Sequence, residues 1–128
     1  MKKAVFPENA PKPSGPYSPA IIAGDFVYVS GQGPTDPATG QYVNESVQAE
    51  TRQVLTNVKT ILEAAGASLE NVVKCNVYLA DRHDFAAMNE AYREFFPVDP
   101  PARTTVQAHP PVEIRVEIDC VAYVPRSS

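Results

Sequence analysis

The last extended segment of the chain, I-R-V-E-I-D-C-V-A-Y-V at residues 114–124, alternates apolar and polar side chains along its length. Strict alternation predicts a β-strand, because successive side chains of a strand point to opposite faces of the sheet. One face carries small and aliphatic side chains, namely Ile114, Val116, Ile118, Cys120, Ala122 and Val124. The other carries Arg115, Glu117, Asp119, Val121 and Tyr123. The segment therefore predicts a sheet with one face on a core, and Glu117 lies on the face away from that core.

Upstream segments predict a hairpin and a long helix. Residues 20–31 indicate a β-hairpin with its turn at Gly24-Asp25. The helix is predicted to have Asn44 as its N-cap, Glu45 in its first turn and Gly66 just after its end. Its apolar side chains recur at a spacing near 3.6 and form one stripe, made of Val47, Thr51, Val54, Val58, Ile61, Leu62 and Ala65.

The middle of the chain predicts one more strand and one more helix. In the strand, residues 71–80, one face carries Val73, Cys75, Val77 and Leu79, and the other carries Val72, Lys74, Asn76 and Tyr78. The helix, residues 84–96, is predicted to turn Phe85, Met88, Tyr92 and Phe95 inward and to end at Pro97. The order β-β-α-β-α-β-β predicts an α+β fold with both helices on one face of a single mixed sheet. A symmetric oligomer would cover the face without helices.

Composition excludes several classes of protein. The net charge is −4, and the Lys and Arg residues are scattered, which makes a nucleic-acid partner unlikely because phosphate binding needs a basic surface. No segment is apolar over a membrane-span length, so no membrane partner is expected. The start M-K-K lacks a following apolar stretch, and the two cysteines lie among apolar strand residues as expected for buried thiols in a reducing compartment. We therefore expect a cytoplasmic protein.

Two residues of the last two predicted strands carry candidate chemistry. Arg103 offers a planar guanidinium that binds a carboxylate through two parallel hydrogen bonds. Glu117 offers a carboxylate that can move protons to and from water. From spacing alone, an Arg and a Glu on neighbouring strands are more often an ordinary cross-strand ion pair.

A set of segments along nearly the whole chain resembles the RidA (YjgF) family of enamine/imine deaminases. The segments are S-G-P-Y-S-P-A at 14–20, V-Y-V-S-G-Q at 27–32, N-V-K at 57–59, A-A-G-A-S-L at 64–69, N-V-Y-L-A-D at 76–81, F-x-x-M-N-x-x-Y-x-x-F-F-P at 85–97, P-A-R at 101–103 and V-E-I at 116–118. The resemblance implies one domain over residues 1–128 with the chorismate-mutase-like fold of that family. It also implies a homotrimer around a central barrel, with three sites in the clefts between subunits.

The resemblance also assigns roles to seven residues. Arg103 matches the carboxylate-binding arginine, and Glu117 matches the acid that positions water and shuttles protons. Gly31 offers its backbone N–H to the substrate carboxylate, with Ser30 beside it. The other three matches are Tyr17, which closes over the cleft, Asn89, near the site, and Thr105, which replaces a frequent cysteine and contributes its backbone carbonyl.

Each of these residues also has a purely structural interpretation. Glu117 would be a solvated strand carboxylate, and Ser30-Gly31 a strand end. Tyr17 would be a loop aromatic packed on the sheet, and Asn89 a polar residue on an exposed helix face.

The function implied by the resemblance is the hydrolysis of reactive 2-enamine and 2-imine acids, such as 2-aminoacrylate and 2-aminocrotonate, to 2-keto acids and ammonia. No cofactor is expected for this reaction. No Cys/His/Asp cluster has metal-ligand spacing, so no metal is expected either. Two alternatives stay open: an endoribonuclease that inhibits translation, and a module that binds 2-keto acids without turnover.

Overall fold

The computed structural model describes residues 1–125, in which the chain forms a six-stranded mixed sheet and two α-helices. The strands are β1 Lys3–Val5, β2 Ala20–Ala23, β3 Phe26–Gln32, β4 Val72–Leu79, β5 Ala102–Gln107 and β6 Val116–Tyr123. The helices are α1 Val47–Ala64 and α2 Phe85–Phe95, and short 3₁₀ turns precede β4 and α2 at Leu69–Asn71 and Arg82–Asp84. The strand order is β1-β2-β3-β6-β4-β5. Only the pair β4–β5 is parallel among these neighbours.

Both helices lie on one face of the sheet, as predicted. The core-facing side of β6 is buried from Ile114 to Ala122, and the predicted stripe of α1 packs on β3 and β6. Helix α2 packs on α1 and contributes Met88 and Tyr92 to the same core. The opposite face of the sheet, which we call the open face, carries Tyr28, Asn76, Tyr78, Glu117 and Asp119, none of which is fully buried.

The hairpin and the end of α1 follow the predictions. Ala23 pairs with Phe26 across a two-residue turn, in which Gly24 adopts a φ of 59°. Gly66 follows α1 with a φ of 81°, the left-handed conformation that glycine adopts without a Cβ clash. Strand β1, which pairs with β2, is absent from the predicted order because three residues are too few to show an alternation.

The predicted start of α1 is wrong by two residues. Ser46 is the N-cap, and its Oγ accepts a hydrogen bond from the Ala49 N–H at 3.0 Å. Asn44 remains in the preceding loop, where its carbonyl accepts a hydrogen bond from the Arg115 guanidinium at 3.1 Å. Asn and Ser cap helices about equally well, so the sequence could not distinguish two candidates so close together.

The predicted faces of β4 are correct from Lys74 onward and wrong for the two residues before it. The pairing with β6 shifts between Val72 and Lys74, where a bulge places one extra residue on β4. Val72 is consequently buried and belongs to the core, whereas Val73 is 46% exposed. The prediction placed these two valines the other way round.

The predicted inward face of α2 is correct for Met88 and Tyr92 and wrong for Phe85. Phe85 is the first residue of the helix and is 46% exposed, and Phe95 is only partly buried. The Phe85 ring lies against the guanidinium of Arg103, with 5.5 Å from Cζ to the ring centroid. Its position is therefore set by a charged side chain at the sheet edge instead of by the core.

Candidate functional site

The two main candidates, Arg103 and Glu117, lie on opposite faces of the sheet. Strand β4 separates their strands, and it pairs Cys75 with Arg103 on one side and Tyr78 with Glu117 on the other. Cys75 is buried beneath the helices, whereas Tyr78 lies on the open face. The interpretation of Arg103 and Glu117 as a cross-strand ion pair is therefore wrong.

Glu117 lines a cavity of about 540 Å³ between the N-terminal loop, the end of β3 and the start of β6. Ser30, Gly31 and Tyr17 line the same cavity, so four of the seven predicted site residues come together here. The carboxylate of Glu117 lies directly over Gly31, and a Cβ built at position 31 would be 3.0 Å from Glu117 Cδ and would overlap Oε2. Because glycine has no Cβ, position 31 leaves open the space that the Glu117 carboxylate occupies.

Ser30 ties the N-terminal loop to the sheet. Its hydroxyl donates to the Ser18 carbonyl at 2.6 Å, and its N–H donates to the Pro19 carbonyl at 2.9 Å. Tyr17, which is 45% exposed, lies just before this tie and stays against its own loop, where its hydroxyl accepts from the Ser14 N–H at 3.3 Å. Ser30 thus positions the wall of the cavity, and its hydroxyl is occupied in doing so.

The electrostatic environment of Glu117 favours its protonated form. Partial burial, and secondly the neighbouring carboxylate of Asp119, raise the pKa of Glu117 above its usual value. Asp119 accepts hydrogen bonds from Asn76 Nδ2 and from the Tyr78 hydroxyl, each at 2.9 Å. The hydrogen bond to Asp119 is the main reason why the pKa of Tyr78 is also raised.

Arg103 forms the second group, together with Asn89 and Tyr92 of α2. Its guanidinium stacks over the Tyr92 ring at 4.7 Å in addition to the contact with Phe85. The two ring contacts hold the guanidinium in place through cation–π attraction. A cavity of about 290 Å³ next to it is lined by Asn89, whose Oδ1 is buried and makes no hydrogen bond within residues 1–125.

Thr105 lies on the same side as Arg103, in an adjoining recess. It is half-buried, pairs with Val77 of β4, and shares the recess with Phe85, the residue that also contacts Arg103. In the described sheet β5 pairs only with β4, so one edge of its backbone carries no strand partner. The structure therefore divides the predicted residues into a Glu117 group (Tyr17, Ser30, Gly31, Glu117) and an Arg103 group (Asn89, Arg103, Thr105).

Two buried polar residues that support the Glu117 group escaped the sequence analysis. Asn57 of α1 donates from Nδ2 to the carbonyls of Gly33 at 3.2 Å and Thr35 at 2.8 Å, which holds the loop after β3. Glu50, only 2% exposed, binds both the backbone N–H and the guanidinium of Arg115, next to the start of β6. In the sequence, Glu50 and Asn57 are each a polar residue close to the apolar stripe of α1, and this pattern could have indicated that both are buried.

Two findings bear on membranes and metals. No helix within residues 1–125 is long and apolar enough to cross a bilayer. The same residues contain no group of three or more His, Cys, Asp or Glu side chains arranged to hold a metal ion.

Comparison with known proteins places the chain in a family. The family profile described as Endoribonuclease L-PSP matches residues 7–124. A RutC family protein of Pyrococcus horikoshii is 52% identical over 124 residues, which cover 96% of this chain and 98% of the relative. A goat (Capra hircus) protein named 2-iminobutanoate/2-iminopropanoate deaminase is 43% identical over 123 residues, which cover 95% of this chain and 90% of the relative.

A solved structure agrees with the fold. RidA from an Antarctic Psychrobacter superimposes with a TM-score of 0.91 at 41% identity, covering 95% of this chain and 99% of that one. The chain belongs to the RidA (YjgF) family, whose profile carries the description Endoribonuclease L-PSP.

Proposed function

We propose that the protein is a cofactor-free deaminase that hydrolyses reactive 2-enamine and 2-imine acids, such as 2-aminoacrylate and 2-aminocrotonate, to 2-keto acids and ammonia. The observation that carries the proposal is the Glu117 carboxylate, half-buried over Gly31 in a cavity, with a raised pKa. A partly buried carboxyl group with a raised pKa is suited to general acid–base catalysis. The name of the goat relative supports the same reaction.

In this proposal Arg103 binds the substrate carboxylate. The two aromatic contacts orient the guanidinium, and a bidentate contact to a charged group contributes about 1.5–3 kcal/mol when shielded from water. Asn89 lines the cavity beside it, and in this proposal its side-chain amide contacts the nitrogen of the substrate. The Gly31 N–H and the Thr105 carbonyl complete the polar contacts to substrate and water.

Glu117 then carries the protons of the reaction. Tautomerisation of the enamine places a proton on carbon, and the resulting imine is attacked by water at the carbon that bears nitrogen. The water gives up a proton as it attacks, and the nitrogen needs a proton to leave as ammonia. The C–N bond then breaks as the hydroxyl of the tetrahedral intermediate gives up its proton and becomes the ketone. One carboxyl group can serve these four transfers in turn, and it ends protonated as it began.

The separation of the two groups supports a site shared between subunits. A substrate with only a few heavy atoms cannot reach Arg103 and Glu117 of one chain, because the sheet lies between them. We therefore propose a homotrimer around a central barrel, in which the Glu117 group of one subunit faces the Arg103 group of the next. The open face, with the exposed rings of Phe26, Tyr28 and Tyr123, would be covered in such an assembly.

The two alternative functions are less well supported. Ribonuclease activity requires an RNA-binding surface, and the net charge of −4 with scattered cations does not favour one, despite the description of the family profile. A module that only binds 2-keto acids would need Arg103 and backbone donors but no carboxylate with a raised pKa. We further propose that the chain is one domain, residues 1–128, acting in the cytoplasm; of these, residues 126–128 lie outside the described structure.

A coupled assay tests the proposal. A serine or threonine dehydratase generates the 2-enamine acid, and release of 2-keto acid is followed with and without this protein. We expect clear acceleration, no loss of it after dialysis against a chelator, and inhibition by excess stable 2-keto acid. Binding of the 2-keto acid without acceleration would favour the binding module, and salt-sensitive RNA cleavage without acceleration would favour the nuclease.

A further inference from the structure

A second carboxylate, Asp119, lies two residues after Glu117 on the same strand and therefore on the same open face. The reaction proposed above assigns it no contact with substrate. Two carboxyl groups side by side are harder to ionise together than either is alone, because their negative charges repel each other. The hydrogen bonds around Asp119 explain how this arrangement is held in the folded protein.

Both oxygens of Asp119 have a donor from the neighbouring strand. Asn76 Nδ2 donates to Oδ1 and the Tyr78 hydroxyl donates to Oδ2, each at 2.9 Å. The register pairs Asn76 with Asp119 and Tyr78 with Glu117, yet the Tyr78 hydroxyl reaches diagonally to Asp119. Hydrogen bonds of this type stabilise the charged form of a carboxyl group. The two donors therefore fix the position of the Asp119 carboxyl group on the open face, beside Glu117.

The other polar groups facing Glu117 do not offset this charge at short range. Tyr78 lies opposite on β4, and Lys12, Tyr17 and Tyr42 line the cavity from the two adjoining loops. Lys12 is exposed, so water screens its charge. Lys74, which also lies on the open face, donates its hydrogen bond to Thr104 Oγ1 at 2.8 Å and not to Glu117. Within one subunit, Asp119 is thus, after burial, the neighbour whose charge raises the pKa of Glu117. In the proposed trimer the Arg103 group of the next subunit also faces Glu117 and opposes this effect, and it does so equally in the wild-type protein and in Asp119→Asn.

We propose that Asp119 is a positioning residue for proton transfer: fixed beside Glu117 on the open face by hydrogen bonds from Asn76 and Tyr78, it keeps Glu117 able to hold a proton between steps. Its benefit rests on the proposed deaminase function, but the interaction itself does not. A Glu117 that stayed ionised throughout would accept a proton from water poorly and would have none to give to the departing nitrogen. The raised pKa of Glu117, for which Asp119 is the second cause after burial, agrees with this role.

The direct test is a titration of the Glu117 side chain by NMR, with its carboxyl carbon labelled, in the folded full-length protein. We expect the midpoint to move to lower pH in Asp119→Asn, because removing the negative neighbour makes ionisation of Glu117 easier. Glu70→Gln is the matched control, since it removes one exposed carboxylate from the turn before β4 and should leave the midpoint unchanged. Equal midpoints in the wild-type protein and Asp119→Asn would overturn the proposal.

A salt series on the wild-type protein gives the same answer if Asp119→Asn does not fold. Screening weakens the repulsion between the carboxylates, so the Glu117 midpoint should fall as ionic strength rises. A midpoint independent of salt would count against Asp119.

Kinetics separates this proposal from the proposed function. In Asp119→Asn the acidic limb of the pH profile of kcat should move to lower pH by the same amount as the NMR midpoint, with KM unchanged. A shifted midpoint in a protein without deaminase activity would reject the reaction and keep the coupling. If Asp119→Asn is an active deaminase whose Glu117 midpoint equals that of the wild-type protein, the reaction is kept and the coupling between Asp119 and Glu117 is rejected.

Discussion

The Glu117 group and the Arg103 group are built in different ways. Glu117 lies against backbone, over a glycine, and its protonation depends on burial and on a neighbouring carboxylate. Arg103 lies against side chains, between two aromatic rings contributed by α2, and its charge is constant. The surroundings of Glu117 change how readily it gains and loses a proton. The surroundings of Arg103 hold the group that can donate hydrogen bonds in one place. In the proposed function, catalysis and substrate binding are therefore assigned to opposite faces of one sheet.

The largest effect is expected from Glu117→Gln, which keeps the shape of the side chain and removes its proton chemistry. General acid–base catalysis typically contributes about 10²–10⁴-fold, so kcat should fall by that order while a stable 2-keto acid still binds. Steady-state kinetics and calorimetric binding measure the two parts. Loss of binding together with turnover would mean that the two groups are not separated as described.

A smaller effect on a different parameter is expected from Arg103→Lys. Lysine keeps the charge but loses the second parallel hydrogen bond and the flat contact with the rings, which costs about 1.5 kcal/mol, or about tenfold in KM. The matched control is Arg52→Lys, because Arg52 pairs with Glu94 on an exposed surface and should show no change. A fall in kcat at constant KM would contradict the binding role of Arg103.

Mixing two inactive variants tests whether the groups meet across subunits. Neither Arg103→Ala nor Glu117→Gln alone should be active, but random co-assembly of equal amounts would give about one quarter of the sites both intact groups. Unfolding and refolding the two variants together, with each refolded alone as the control, measures this recovery. No recovery, with mixed trimers shown by mass spectrometry, would place both groups in one chain or in no common site.

The smallest effect is expected from alkylation with iodoacetamide. Burial raises the pKa of Cys75 to about 11, and it also raises the pKa of Cys120. Both thiols are therefore protonated near pH 8 and covered by the core, so they should react slowly. Activity should be unchanged after treatment and in Thr105→Cys kept reduced. Loss of activity with the folded state intact by circular dichroism would give a thiol a part in the reaction.

Sequence patterns predicted single elements better than the relations between them. The alternation of β6 and the stripe of α1 are local, and their buried faces agree with the structure. The bulge at Val72 and Val73 exchanges the faces of these two residues and leaves no local pattern in the sequence. The sequence also does not show that β4 lies between β5 and β6. The way both strands pair with β4 places Arg103 and Glu117 on opposite faces of the sheet.

The same limit applies to the candidate site. Glu117 could be assigned to the open face from β6 alone, but its relation to Gly31 depends on how β3 pairs with β6. The donors to Asp119 come from β4, and only the register of that pairing brings Asn76 and Tyr78 within reach. Long-range pairing is set by the packed sheet as a whole, so these contacts needed the structure.

The contact between Gly31 and Glu117 constrains how the sequence can change over time. Any substitution at position 31 adds a Cβ where the carboxylate now lies, so it would push the Glu117 side chain out of its present position. A shorter residue at position 117 would remove that clash, but it would also remove the carboxyl group that the proposed reaction needs. We therefore expect glycine at position 31 to be retained for as long as glutamate at position 117 is needed, although the two positions are far apart in the chain.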